Sequence, residues 1–256
     1  MNPKYKVLIK AAEDAGKVHL KYFGKNLKKT QKSSAADFQT KSDVEAEEVI
    51  LKVIKKHFPN YNILSEESDY VDNKSQYTFI IDPLDGTNNF ALGIPYYGVC
   101  ISLTHGDEII FAVTHYPTAG NTYFAQKGKG THKNNQRIKV NKESNIKKST
   151  VMYTCAYLTP NSENGRIVGK LYGLDIKRVL MNWAPSVDYC LLAEGKIEAI
   201  INNDNEIYDR SAGKLIAREA GALITDFKGK KEKSDRNNIF LVSNGTQIHN
   251  KLLGIL

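Results

Sequence analysis

The apolar run Thr78-Phe79-Ile80-Ile81 passes without a break into Asp82-Pro83-Leu84-Asp85-Gly86-Thr87. A short run of this kind reads as a buried strand, and it delivers carboxylates to the edge of a sheet. Asp-Pro and Asp-Gly are turn formers, so the strand ends in a tight turn. Two carboxylates three residues apart at a strand end converge on hard cations, with the carbonyl of Leu84 between them as a third oxygen ligand. Gly86 and Thr87 then open a helix or turn whose free N–H groups face an anion. A divalent metal beside a phosphate is the arrangement that phosphoryl transfer requires.

The rest of the chain fits a globular enzyme. Its 256 residues are 41% hydrophobic and 25% charged, enough for a substantial core in one unit or two halves. No run of 18 apolar residues is present, and the charged segment after Met1-Asn2-Pro3 lacks the apolar core of a secretory signal. Cys100, Cys155 and Cys190 lie far apart with no CxxC pair, which argues against a disulfide framework or a Cys-ligated zinc and for a cytoplasmic location. The formal charge of +8 is uneven: nine lysines lie between Lys4 and Lys32, and seven more with Arg137 between Lys127 and Lys148. Charge runs are usually solvated faces, and no RNA-binding aromatic motif or zinc finger accompanies these. Nucleic acid is therefore not the expected partner.

Periodicity predicts a helix over 4–23 from Leu8, Ala11, Ala12, Ala15, Val18 and Tyr22, ending at Gly24. A second helix follows to about His57, with Ser42-x-x-Glu45 read as its capping box. From Tyr97 the pattern becomes an antiparallel meander with strands at 99–104, 109–115 and 122–125. Beyond Lys148, strands at 151–158, 177–180, 197–201, 223–227 and 239–242 alternate with helices at 185–194, 209–220 and 246–253. The order predicts a layered α/β or α+β architecture whose halves meet near residue 145.

Three further acidic groups surround the central motif. Ile63-Leu64-Ser65-Glu66-Glu67 is a second strand ending in carboxylates, Thr40-Lys41-Ser42-Asp43 is a helix start, and Tyr208-Asp209-Arg210-Ser211-Ala212-Gly213 opens another helix with Asp209 as its simplest N-cap. Together with Asn88-Asn89-Phe90, Gly93-Ile94-Pro95-Tyr96 and Ala217-Arg218-Glu219-Ala220-Gly221, in this order from Lys32 to about Asp226, the set resembles the inositol monophosphatase family. The resemblance implies the α+β fold of that family and of the fructose-1,6-bisphosphatases, a layered α-β-α-β-α sandwich, here one phosphatase unit of residues 1–256. It also implies two or three Mg²⁺ ions, a small phosphate ester as substrate, a homodimer, inhibition by Li⁺ and no membrane association. Glu66 then matches a ligand of one Mg²⁺ that also contacts the attacking water. Asp82 matches a bridge between two ions, the backbone of Leu84 completes the first site, and Asp85 and Asp209 complete the second. Asp43 and Thr87 match the positions that orient the water, and Glu67 a neighbouring support. Substrate contacts are implied for Asp85, Gly86, Thr87, Trp183, Ala184, Asn202 and Asp209.

Four departures fall on the leaving-group side. Asn202 stands where the inositol phosphatases carry a carboxylate that contacts sugar hydroxyls, and it loses the charge-assisted bond. Trp183-Ala184-Pro185-Ser186 replaces a small-residue segment that begins with Gly, so Trp183 either fills the core or offers a flat apolar face to the pocket. Tyr208 replaces a common Trp. Arg210-Ser211 replaces a small apolar pair, with Arg210 either on an exposed helical face or binding a second anionic group. The metal chemistry is expected intact. Inositol 1-phosphate is the first family substrate, with histidinol phosphate, fructose 1,6-bisphosphate and nucleotide 3′-phosphates as related ones. A basic RNA-associated protein without catalysis is the competing class, and loss of a metal ligand would be its mark.

Overall fold

The structure is a computed structural model that describes residues 2–32, 37–232 and 234–256. A 3₁₀ turn (Pro3–Tyr5) leads into helix α1 (Lys6–Tyr22); the short ribbon β1 (Thr30–Gln31) and β2 (Phe38–Gln39) joins it to α2 (Lys41–His57). The first sheet then runs through β3 (Asn62–Ser65), β4 (Tyr77–Asp85), β5 (Gly98–His105), β6 (Glu108–Tyr116), β7 (Asn121–Gln126), β8 (Thr131–Lys133) and β9 (Gln136–Ile138), with helix α3 (Thr87–Leu92) between β4 and β5. Its strands lie side by side in chain order; β3 and β4 are parallel and every later pair is antiparallel. The expected meander is present, and the hairpin β8–β9 extends it into the basic stretch that showed no apolar periodicity.

The second sheet contains β10 (Thr150–Cys155), β11 (Arg178–Leu180), β12 (Ala199–Asn203), β13 (Leu223–Thr225) and β14 (Ile239–Ser243), in the order β11-β10-β12-β14-β13. Helices α4 (Asn161–Gly173), α5 (Pro185–Ala193), α6 (Ile207–Glu219) and α7 (Gln247–Leu253) alternate with these strands. Strand periodicity sets the layering. Val99, Ile101 and Leu103 of β5 face Leu8, Ala15, Ile50 and Ile54 of α1 and α2, whereas Cys100 faces the other way, toward α5 and α6. In β12, Ala199 and Ile201 pack with α4 and α7, while Ile200 joins the cluster of α5 and α6. The result is five layers: α1/α2, first sheet, α5/α6, second sheet, α4/α7. The middle layer draws its core from both sheets, and α6 brings Asp209 against the end of β4.

Three local readings are corrected. The capping box of α2 is Thr40 with Asp43, not Ser42 with Glu45. Thr40 has the extended backbone of an N-cap, so Ser42 already lies inside the helix and bonds His19 instead. The strand expected over 151–158 stops at Cys155, where its pairing with β12 ends, and releases Tyr157 and Leu158 to the surface. Helix α4 escaped the periodicity because it carries three glycines and buries only Ile167 and Leu171. The three cysteines are free and buried. Among the described residues no helix is long and apolar enough to cross a membrane.

Candidate metal and phosphate site

Parallel pairing of β3 with β4 sets the site. Ser65 is opposite Ile81, and the Glu66 amide donates to the Ile81 carbonyl at 3.1 Å, so Glu66 and Asp82 leave the same sheet edge at the same level. Opposite β5, Asp82 pairs with Cys100 but Asp85 with Gly98, so β4 carries one extra residue there. This bulge turns the strand end inward. The Leu84 amide donates to Asp82 Oδ1 at 2.9 Å, and the Leu84 carbonyl lies 2.9 Å from the Thr87 hydroxyl. Gly86 follows with φ +90, and a Cβ there would lie 2.9 Å from Ala184 Cβ. Both the left-handed backbone and the close approach require glycine. Helix α3 starts at the next residue, Thr87, which borders the cavity with Gly86 and whose amide has no acceptor within the helix.

Asp209 reaches the site from α6. It is not the N-cap; Glu206 takes that place and Asp209 sits at the third position of the first turn. Close packing of α6 on α5 fixes it there: a Cβ on Gly213 would fall 2.1 Å from the Tyr189 ring. One carboxylate oxygen from each of Asp82, Asp85 and Asp209 lies within 4.8 Å of the others. Asp85 Oδ2 accepts the Ser186 amide at 2.8 Å and the Ser186 hydroxyl. Asp82 Oδ2 is buried and has no hydrogen-bond partner. Burial and then mutual repulsion raise all three carboxyls: Asp82 and Asp85 well above the usual range, Asp209 to about 8, with Glu66 the largest charge acting on Asp82 and Asp209. An orphaned buried oxygen within an all-carboxylate set fits a hard divalent cation, which would satisfy that oxygen and relieve the repulsion.

Glu66 stands beside this group rather than within it. Its carboxylate accepts Lys32 Nζ at 2.8 Å, and Glu67 accepts the same ammonium at 2.6 Å. Burial opposes the charge on Lys32, but the two glutamates hold its pKa above the ordinary lysine value. Burial and the Glu66 charge push Glu67 up to about 7. Sequence reading placed Lys32 only in a basic stretch, and no local pattern marked it as the counter-ion of Glu66-Glu67. Asp43 is fully buried. Its Oδ2 accepts the Thr40 amide at 2.9 Å and the Thr40 hydroxyl at 2.5 Å, and its Oδ1 lies 3.3 Å from the Thr87 hydroxyl. Burial lifts Asp43 to about 6. His19 ties this corner together: its Nδ1 lies 2.8 Å from Ser42 Oγ and its Nε2 2.7 Å from the Pro83 carbonyl.

Lys32, Glu66, Asp82, Asp85, Thr87 and Asp209 line a cavity of about 620 Å³, with Asp43 and His19 behind its wall, within the range of small-ligand sites. Two expected substrate contacts are not where the sequence put them. Asn202 is wholly buried in β12; its Oδ1 accepts the Tyr189 hydroxyl and its Nδ2 donates to the Asn238 carbonyl, so it faces the core and not the cavity. The residues lining that wall are instead Asp204, Asn205 and Glu206, just after the strand. Ala184 is also fully buried, packed against Gly86. Arg210 neither lies on an exposed helical face nor offers a free guanidinium: three of its nitrogens donate to the carbonyls of Asn205, Asp235 and Arg236 at 3.1 Å. Trp183 lines the cavity at its rim, 45% exposed, so it does not fill the core.

The model of the inositol monophosphatase family matches residues 1–256. The chain belongs to the inositol monophosphatase family. It is 32% identical over 244 residues to a Vibrio cholerae protein named Nus factor SuhB, covering 93% of this chain and 91% of that one. It is 32% identical over 254 residues to a Methanocaldococcus jannaschii protein named fructose-1,6-bisphosphatase/inositol-1-monophosphatase, covering 96% of each. Among solved structures, the extragenic suppressor protein SuhB of Bartonella henselae superposes with a TM-score of 0.90 at 28% identity, over 98% of this chain and 96% of that one. The layered α+β architecture is thus that of the family.

Proposed function

We propose that this protein is a Mg²⁺-dependent phosphomonoesterase that hydrolyses a small organic phosphate with water as the nucleophile. One observation carries the reading: three carboxylates within 4.8 Å, Asp82 and Asp85 buried and Asp209 half-buried, one with an orphaned oxygen, beside a Thr87–Asp43 pair and the first turn of α3. Asp82, Asp85, Asp209 and the Leu84 carbonyl would hold the metal, with Glu66 adjoining. Bound Mg²⁺ supplies Lewis-acid activation of water and neutralises phosphate charge. The protein's own groups do the rest. The Thr87 hydroxyl directs its proton to the Leu84 carbonyl or to Asp43 Oδ1, which leaves its lone pairs to orient a water. Asp43, raised by burial to about 6, can take a proton near neutral pH through the Thr87 hydroxyl, which passes its own proton to Oδ1 as it accepts one from the water. The α3 amides favour the phosphate oxygens. A homodimer belongs to the same reading and is checked by light scattering.

The test is phosphate release with Mg²⁺ from inositol 1-phosphate, fructose 1,6-bisphosphate, histidinol phosphate and adenosine 3′,5′-bisphosphate, with Asp85→Asn as the blank. Release well above the blank from at least one ester is expected; release at blank level from every ester overturns the reading. A second reading, a non-catalytic role, draws on the relatives named Nus factor. Against it stand the same carboxylates, which burden the fold with uncompensated buried charge unless a cation binds. RNA retention by Asp85→Asn together with no turnover by the wild type would favour it.

A further inference from the structure

The rim of the cavity carries an aromatic platform that the phosphoryl chemistry does not use. Trp183 stacks on Tyr157 with ring centroids 5.7 Å apart and planes 18° apart, and each residue stays 45% exposed. Both line the same cavity as Asp82, Asp85 and Asp209. Trp183 holds φ +55, a left-handed backbone that bulky side chains rarely adopt. Its carbonyl would lie 3.3 Å from a Cβ on Gly86, so the backbone that carries the indole packs against the turn that opens α3. The Tyr157 hydroxyl accepts Asn88 Nδ2 at 3.3 Å, which ties the second ring to α3 as well. A third feature points to a ligand. Asn205 is 4% exposed and lines this cavity; its Nδ2 donates to Thr154 Oγ1 at 2.8 Å, but its Oδ1 is buried without a partner. An orphaned acceptor calls for an N–H or O–H donor from whatever fills the site.

Resting on the reading of the site as a phosphomonoesterase, we infer that its leaving group is an alcohol bearing a flat heteroaromatic ring with an N–H donor, stacked on Trp183 and Tyr157 and bonded to Asn205 Oδ1. Aromatic faces bind flat rings through their π-surfaces and offer a polyol little. Trp183 is the only tryptophan in the chain, so its fluorescence reports this subsite without any turnover.

The experiment measures phosphate release and Trp183 fluorescence with Mg²⁺ for four esters. Histidinol phosphate and adenosine 3′,5′-bisphosphate carry rings with N–H donors, benzyl phosphate carries a ring without one, and inositol 1-phosphate carries no aromatic ring. The expected result is saturable quenching by the first two, with kcat/KM for the better of them above that of benzyl phosphate and inositol 1-phosphate. Trp183→Gly relieves the left-handed strain and should fold. It should lower the preference for the ring ester over inositol 1-phosphate by about 5- to 100-fold, mostly through KM, and Trp183→Phe should restore part of it. The choice between the imidazole and the nucleotide ester names the source of the ring. Turnover of inositol 1-phosphate as fast as either ring ester, with a ratio unmoved in Trp183→Gly, overturns the platform and leaves the phosphatase reading intact. Saturable quenching without phosphate release from any ester supports the platform and overturns the phosphatase. An indole emission that shifts blue with protein concentration assigns the pair to an interface between copies and overturns the inference.

Discussion

Two groups of buried charge meet on helix α6, and they are built in opposite ways. At its first turn Asp209 joins Asp82 and Asp85, three like charges with an orphaned oxygen. One residue on, Arg210 begins a row with Lys214 and Arg218, and here each cation is answered. Arg210 meets three carbonyls. Lys214, with no exposed surface, donates to Glu232 at 2.6 Å and to the Asn237 carbonyl at 2.7 Å and lies 4.0 Å over the Phe240 ring; Arg218 pairs with Asp235. Burial still pushes Lys214 down to about 8. In the Arg210–Arg218 row opposite charges and carbonyls answer the cations and tie Glu232, Asp235, Arg236 and Asn237 to the helix, with Glu232 Oε2 left without a hydrogen bond; in the Asp82–Asp85–Asp209 cluster no cation among the described residues answers the three carboxylates. A buried charge is costly once its partner is removed, and a buried like-charge cluster without a cation marks where a ligand can complete it.

That contrast can be broken from either side. Glu232→Ala should be the most damaging, stripping the Lys214 ammonium of its counter-ion at about 3–5 kcal/mol, read as a lower urea midpoint. Asp82→Asn should have the opposite sign in EDTA, raising stability by about 1–3 kcal/mol as repulsion is relieved, while phosphate release falls at least about 100-fold. A variant that loses both stability and activity would mean the carboxylates are structural. Saturating Mg²⁺ should stabilise the wild type by about 2.7 kcal/mol at a hundredfold excess over Kd, and Asp82→Asn far less, as read by Tm.

A pH profile tests Asp188, buried beneath Tyr96 and Asn182 and raised by burial to about 7. Its folded pKa exceeds the unfolded value of 3.8, so the native state binds the extra proton between the two. The stability this contributes is full below about pH 4 and lost as the pH rises through 7. Asp188→Asn should therefore match the wild type at pH 4 and exceed it by about 4 kcal/mol at pH 8; a constant difference across that range would refute the assignment.

The legibility of the two charge groups in the sequence differed as much as their chemistry. Asp82 and Asp85 could be paired from their own strand end and turn, whereas Asp209, Glu66, Asp43 and the role of Thr87 joined them only through the resemblance to the family. Apolar periodicities of two and of three to four residues pointed to a layered α/β or α+β fold, and the α-β-α-β-α order came from the resemblance to the family. Lys32, Tyr157 and Asn205 were not readable as cavity residues. Lys32 meets Glu66 and Glu67 from 34 and 35 positions away. Tyr157 leaves its strand only because pairing with β12 ends at Cys155.

The sequence by itself determined the strands, most of the helices and the carboxylates they carry, since these depend on side chains close along the chain. Only the tertiary structure decided that Asn202 turns inward while Asn205 faces the cavity, that Arg210 is spent on carbonyls, and that Trp183 stands at the rim. Those outcomes depend on which distant groups compete for the same space and the same hydrogen bonds, and that competition exists only once the layers have packed.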